Sequence, residues 1–416
     1  MTTFAAMFAG GGLKSIGAIQ ADYSPVLAIE FDPALASCYA ENLGDKHLRV
    51  EDVRHTPDSV YRAINGVELL MASPPCTRAS IANANAGESD MDGELAEAVC
   101  RAIRLSQPRC VMVENVQGYR SFAAYRRITD CLDALGYWWV DEVVNSADFS
   151  VPQTRRRLIL RASRDGFLPP LNRTHSEKGG NGLLPWNGWY GAVEDLLPDC
   201  PETDLAPWQK ARLPDELKTM LVQSGNASRD MTILDEQEPC STVPAAVEKA
   251  PYRAVLVDTF NSFRESSAME ESEPSFTIKS GHMRRPITTP CAILVEGTPV
   301  GDRPPTRSVG GEPSMTVNAG GGGRVHRAIL CPPNGECYQP KEAMEPSGSI
   351  AANHGSGKYR AIIPGIRIVS LTPRCLARFQ TLPDWYQLPA KKSLACQIIG
   401  NGVPCTLSRV VCESFK

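Results

Sequence analysis

Cys76, set in Ser73-Pro74-Pro75-Cys76, and Glu114, set in Val113-Glu114-Asn115-Val116, are the residue types that a nucleophilic enzyme needs. A thiolate can add to an electron-poor carbon, and a carboxyl group can supply or hold the proton that moves in response. A lone cysteine also serves as a small buried hydrophobe, and that reading stands beside the catalytic one. Further on, Gln153-Thr154-Arg155-Arg156-Arg157 alternates its side chains if extended, so that Gln153, Arg155 and Arg157 share one face. That face either grips a substrate or is a basic edge strand that resists aggregation. Near the start, Phe8-Ala9-Gly10-Gly11-Gly12-Leu13-Lys14 is a glycine turn opening a helix. Such a turn lets backbone approach a nucleotide-like ligand, or is only a tight connection. Glu30 follows Gly12 by 18 residues, the place from which a carboxylate takes ribose hydroxyls, and the pair favours an adenosyl cofactor. Asp52 is either an acceptor for an adenine amino group or a solvated loop acid. Lys14 reads as a solvated side chain, or as a cation favouring a cofactor analogue with an extra carboxylate.

These residues must be placed by the elements around them. The apolar runs TTFAAMF, PVLAIEF, VELLMAS, CVMVEN, YWWVDEVV and RLILRAS alternate with ALASCYAENL, GELAEAVCRAIRLS and FAAYRRITDCLDALG, whose apolar positions recur near every 3.6 residues. Strand–helix alternation implies a Rossmann-like, mostly parallel sheet with helices on both faces, an α/β domain over 1–166. The segment Ile81 to Gly93, rich in Ala, Asn and Gly, is a candidate for closing over a ligand.

The chain has 416 residues, 42% of them hydrophobic and 22% charged, with a formal net charge of −4. This length exceeds one ordinary domain, and a nucleic-acid role would need basic residues gathered locally. No run approaches the ~18 uninterrupted apolar residues of a membrane span, and the start MTTFAAMFAGGG lacks the pattern of a secretory signal. The 14 cysteines include no C-x-x-C pair, which argues against zinc and against a disulfide scaffold. These features suggest a cytoplasmic protein with no membrane partner and no metal.

From about residue 167 the texture turns to Pro, Gly and Ser. Glu238-Pro239, Glu273-Pro274, Glu312-Pro313 and Glu345-Pro346 open four similar E-P-x-x-[TS]-[VI] units, their prolines 35, 39 and 33 residues apart. Each precedes a short apolar strand, so a second, smaller, irregular β-rich domain is expected over 167–365, with 366–416 returning to complete the first. The units are scaffolding, or their Gly-rich turns present Arg284, Arg285, Arg324, His326 and Lys358 to a partner.

In order along the chain, F-A-G-x-G, E-x-D-P, P-P-C, E-N-V, Q-x-R-x-R and Gln397-Ile398-Ile399-Gly400-Asn401-Gly402-Val403-Pro404 resemble the motif series of DNA (cytosine-5) methyltransferases, over residues 4–162 and 366–416. The resemblance implies methyl transfer from S-adenosyl-L-methionine to C5 of a cytosine flipped out of double-stranded DNA. It assigns the attack at C6 to Cys76, the N3 contact to Glu114, and the hold on the base carbonyl and phosphate to Arg155 and Arg157. It further implies cofactor contacts from Phe8, Gly10, Gly12, Glu30, Phe31, Asp52, Asn401 and Val403, and makes 167–365 the target-recognition domain. A separately acting restriction endonuclease, a monomeric state and a bacterial or viral source with the protein at the nucleoid are its corollaries. Leu13, Thr77, Ala79, Ser150 and Cys375 depart from the family pattern, which bears on loop closure and cofactor fit. An RNA cytosine-5 methyltransferase and a DNA-binding homologue without activity are the competing readings.

Overall fold

The protein is described by a computed structural model that covers residues 2–75, 87–214, 219–224, 231–245, 252–258, 294–297, 358–361 and 365–416. Cys76, Thr77 and Ala79 lie outside the described residues, as do three of the four Glu-Pro units and Arg284, Arg285, Arg324 and His326. Two compact units are present: Met1–Pro201 with Leu221–Arg253 and Ser370–Lys416, and Glu202–Met220 with Ala254–Val369.

The first unit is a seven-stranded sheet. Its elements run β1 (Thr3–Met7), α1 (Leu13–Gln20), β2 (Ser24–Glu30), α2 (Pro33–Leu43), β3 (Leu48–Val50), α3 (Asp58–Ala63), β4 (Leu69–Ala72), α4 (Asp90–Ser106), β5 (Cys110–Asn115), α5 (Ala123–Ala134), β6 (Trp138–Asn145), β7 (Gln153–Thr154) and β8 (Arg156–Ser163). In space the strand order is β3-β2-β1-β4-β5-β8-β6. The first five are parallel, and β8 enters antiparallel between β5 and β6. All six apolar runs form strands, and alternate side chains bury on opposite faces. Ala5, Met7, Leu70 and Val111 pack against Val99 and Ile103 of α4 and Ile128 of α5. Phe4, Ala6, Met71 and Met112 pack against Ala18 of α1, Tyr39 of α2 and Leu407 and Val411 of the helix Cys405–Glu413. With both faces covered, the strands bury side chains in both directions, which explains their near-continuous apolar character.

Helix starts follow local chemistry. Asp32 accepts from the Ala34 amide at 2.8 Å and Pro33 occupies the first helical position, so E-x-D-P ends a strand and caps a helix at once. The Ile81–Gly93 segment is not all loop: Asp90–Gly93 form the first turn of α4, where Asp92 accepts from the Ser89 amide at 2.8 Å and hydroxyl at 2.7 Å.

The second unit is β-rich in its described residues. Leu294–Gly297 pairs antiparallel with Lys358–Ala361, and Glu202 bridges Val369 antiparallel. The segment opening at Glu238-Pro239 belongs instead to the first unit, within which its Cys240–Ser241 pairs in parallel with β7. Among the described residues no helix is long and apolar enough to cross a membrane.

The return segment docks on α1 through close approach. A Cβ at Gly17 would lie 2.5 Å from the Cys405 carbonyl oxygen and 2.5 Å from the Ser408 Cβ. Gly17→Ala should therefore cost about 1–3 kcal/mol by overpacking, more than the ~1 kcal/mol that alanine gains as a helix former. Urea unfolding measures this, and equal or greater stability would show that the two helices are not in firm contact.

Candidate active site

The sheet's connections reverse direction between β1 and β4, where the carboxyl ends of parallel strands open a crevice. The glycine turn follows β1 and Ser73-Pro74-Pro75 follows β4. Glu30 closes β2, and Glu114 stands one residue before the end of β5. Because β8 runs antiparallel to β5, with Asn115 opposite Leu158, its start carries Arg157 to that same edge.

There Arg157 Nε lies 3.2 Å from Glu114 Oε1, the two side chains being 14% and 8% exposed. Burial lowers the pKa of Arg157, and Glu114 pulls it back up. Arg155 is buried deeper and donates from Nη2 to the Gly400 carbonyl at 3.0 Å. Its Nε and Nη1 have no hydrogen-bond partner among the described residues. Burial first, and then Arg157, brings its pKa down to about 9, with Glu114 opposing. Gln153 is buried beside them, so the expected alternation holds: Gln153, Arg155 and Arg157 face inward, while Arg156 is exposed. Asn115 Nδ2 donates to the Pro74 carbonyl at 3.0 Å, tying the end of β5 to the stretch that leads into Cys76.

On the other side of the crevice Glu30 Oε2 accepts from the Gly10 amide at 2.6 Å, and Oε1 from the Asp32 amide at 3.0 Å. Its carboxylate thus braces the glycine turn, with acceptor capacity to spare. Phe8 and Gly10 adopt φ of 54° and 57°, and Gly12 adopts 94° as the N-cap of α1. Phe31, beside Glu30, is 70% exposed, a large aromatic face at the mouth of the crevice. Val403 is buried, and Asn401 ends the helix Lys392–Asn401 with its side chain exposed. This segment packs under the turn, where Tyr386 donates to the Gly11 carbonyl at 2.6 Å. Asp52 is not a solvated acid. Arg54 donates to it from Nη2 at 2.6 Å and from its amide at 2.9 Å, which holds the carboxyl below its usual range.

The sequence reading of Lys14 as solvated is overturned: its side chain is buried, with Nζ 2.6 Å from the Met7 carbonyl and 3.2 Å from Ser73 Oγ. Lys14 is the sole charged residue in Leu13–Gln20, and Leu13 to Ala18 are all buried. The apolar character on both sides of it is the signal that sequence reasoning passed over. Also missed was a cavity of about 430 Å³ beside the ion pair, lined by Asn145, Thr154, Arg156, Arg157, Trp186 and Thr242. A larger cavity of about 860 Å³, among Arg54, Glu94, Arg101 and Arg127, touches none of the candidate catalytic or cofactor residues, though Glu88, Ser89, Asp90 and Gly93 of the candidate closing segment line it.

A buried acceptor braced at a strand end, an open glycine turn at a helix start and an exposed aromatic fit an adenosyl ligand: donors of a ribose to Glu30, a flat base to Phe31, an anionic end to the amides of α1. The basic pair with a carboxylate fits a planar substrate bearing a carbonyl and a ring nitrogen.

Comparison with known proteins bears on this arrangement. The sequence pattern described as C-5 cytosine-specific DNA methylase matches residues 2–416. The Type II methyltransferase M.NaeI of Lentzea aerocolonigenes is 34% identical over 200 residues, 45% of this chain and 47% of that protein. M1.HphI of Haemophilus parahaemolyticus is 30% identical over 172 residues, 39% of this chain and 46% of its own length. The chain thus spans about half the length of these curated relatives. M.AquIA of Picosynechococcus is 26% identical over 51% of this chain and 96% of its own. Among solved structures, a Spodoptera frugiperda DNMT2 mutant superposes with a TM-score of 0.53 at 12% identity, covering 100% of this chain and 99% of its own. An Entamoeba histolytica methyltransferase, EhMeth, superposes with 0.52 at 10% identity, covering 100% and 98%. These likenesses show the fold.

Removing Glu114 strands the cations that surround it. Glu114→Ala should lower stability by about 3–5 kcal/mol, as expected when one partner of a buried pair is deleted, and Glu114→Gln, which keeps an acceptor, should lose less. Denaturant unfolding of the two variants reads this, and a loss below ~1 kcal/mol for alanine would show that Arg157 does not depend on the pair.

Proposed function

Because the chain belongs to the C-5 cytosine-specific DNA methylase family, we propose that it methylates C5 of cytosine in double-stranded DNA through a covalent adduct between Cys76 and C6. The observation that carries this reading is the buried Glu114–Arg157 pair at the edge where Asn115 anchors the stretch leading into Cys76.

Cytosine C5 is too weak a nucleophile to attack unaided, and S-adenosylmethionine, when bound, supplies the electrophilic methyl group. The Cys76 thiolate adds to C6 and pushes an electron pair into the ring toward N3 and O2. Glu114 meets the charge developing at N3 with a proton or hydrogen bond, and Arg157 stabilises O2, both in a site that excludes water. Once C5 carries the methyl group, loss of its proton returns the electron pair, restores the C5–C6 double bond and expels Cys76. Because C6 is shielded in a stacked duplex, the target base must leave the helix, at a few kcal/mol. Glu30 would hold the ribose of the cofactor, Phe31 and Phe8 its adenine, and Asn401 and Val403 its methionine end. Asp52 can reach the adenine amino group only through lone pairs that Arg54 leaves over. Residues within 167–365, Arg284, Arg285, Arg324, His326 and Lys358 among them, would choose the sequence, and a restriction endonuclease acting separately would be the partner in the cell.

Cys76→Ser should abolish turnover, since an alcohol lacks the thiol's accessible pKa of ~8.5, while S-adenosylhomocysteine still binds. Bisulfite sequencing of plasmid from expressing cells reads methylation, and duplex carrying 5-fluorocytosine should trap a covalent complex with the wild type. Full methylation by the serine variant would exclude the adduct.

Glu30→Ala should raise the dissociation constant for S-adenosylhomocysteine by about one to two orders of magnitude, two hydrogen bonds to a charged acceptor being worth ~1.5 kcal/mol each. Calorimetric titration gives the answer, and unchanged affinity would move the cofactor away from β2.

A further inference from the structure

Lys14 has no part in the chemistry above, yet it occupies the point where the strand ends meet. From the first turn of α1 its ammonium reaches the last carbonyl of β1, Met7, and the hydroxyl that follows β4, Ser73. Glu30 from β2 and Glu114 from β5 are the charged groups that act on it. From the helix Cys405–Glu413, packed on α1, the Ser408 hydroxyl donates to the Lys14 backbone carbonyl at 2.8 Å. Two of the three ammonium protons are thus engaged, and the third has no partner among the described residues.

An ammonium taken out of water is costly, and a methionine or leucine would fill similar space without that cost. A group kept at the expense of stability, at the edge where the reactive residues converge, is the mark of function rather than of folding.

We propose that Lys14 is a positioning residue for methyl transfer: its charge holds the Glu30 and Glu114 carboxylates in one crevice, and its hydrogen bonds lock the stretch leading to Cys76 against the cofactor turn. This rests on the function proposed above. The ammonium acts only while protonated. Burial lowers its pKa from 10.5 to about 8, against the upward pull of Glu114 and Glu30, so it is charged at neutral pH and discharges in mild alkali.

Two signatures follow, opposite in direction. Between about pH 8 and 10.5 the unfolded chain binds the proton that the folded chain has released, so Lys14 lets stability rise with pH across that window, and its cost is complete below it. Lys14→Met should therefore melt at or above the wild-type temperature at pH 7, with the advantage shrinking from pH 8 to 10.5. Its kcat on duplex DNA at pH 7.5 should fall about tenfold or more, and the loss of wild-type rate above pH 8 should vanish from its profile. Thiol ionisation at Cys76 drives the rate upward over the same range, so the two titrations are separable by sign. Calorimetric titration of both proteins with S-adenosylhomocysteine at pH 7 and 9 supplies a readout independent of turnover, in which the wild-type affinity should change with pH more than that of the variant. Lys14→Leu repeats the test with a second shape. The proposal fails if either apolar variant keeps the wild-type rate and pH profile, or if both melt well below the wild type, which would make Lys14 a structural brace. A wild type that methylates no duplex overturns the proposed function itself, a result read without any variant.

Discussion

Everything at the crevice depends on charges brought together out of water. Lys14, Arg155 and Arg157 stand against Glu30 and Glu114, three cations to two anions, so the described residues leave one positive charge in excess. In bulk water such a group would disperse into solvent. In a low-dielectric setting the attraction of Glu114 opposes the cost of burying Lys14, Arg155 and Arg157. The fold exists to impose this closeness: four parallel strand ends and one antiparallel strand start supply the groups, and helices on both faces keep water from the strands beneath.

The strand-end positions of the candidate groups were legible in the sequence because strand ends are local features. Glu30 followed by Asp32-Pro33 marks the end of β2 and the cap of α2 in four residues, and the apolar run before Glu114 marks β5. The placement of β8 between β5 and β6 was not legible, since no local pattern states which strands become neighbours. Only that placement sets Arg157 against Glu114, 43 positions away in sequence. Lys14 was misread for the same reason: its partners lie 7 and 59 residues away, and an isolated lysine in a short helix looks like any solvated one. The Asp52–Arg54 pair was within reach, being two residues apart, but carboxylate and guanidinium alone do not say whether they meet.

The glycines of the family-like motifs serve packing as well as backbone conformation. Gly10 has nothing within 4 Å of a Cβ position and stays open to the crevice, whereas a Cβ at Gly11 would meet Ile398 at 2.5 Å and Tyr386 at 2.9 Å, and one at Gly402 would run into Leu13. One turn therefore faces outward to the open crevice and inward to the return segment. This is why residues nearly 400 positions apart must be fitted to each other, and why a chain broken by some 200 residues of different texture still rebuilds a single sheet domain.

The cysteines sharpen the chemistry by elimination of a physical kind. Ten free thiols are buried among the described residues. Burial raises Cys110, Cys240, Cys405 and Cys412 well away from ionisation, and Cys200 and Cys375 sit 3.6 Å apart in the core. These are hydrophobes that happen to carry sulfur. Cys131 is the exception, lowered by a hydrogen bond with Cys100 and by Arg104, yet it lies on α5 and packs into the core with Val99 and Cys100 of α4. A thiolate nucleophile needs a cationic, reachable setting at the sheet edge. The stretch Ser73-Pro74-Pro75 leaves β4 held by Lys14 at Ser73 and by Asn115 at Pro74, which fixes the last described residues before Cys76 at the point where the site's charges converge.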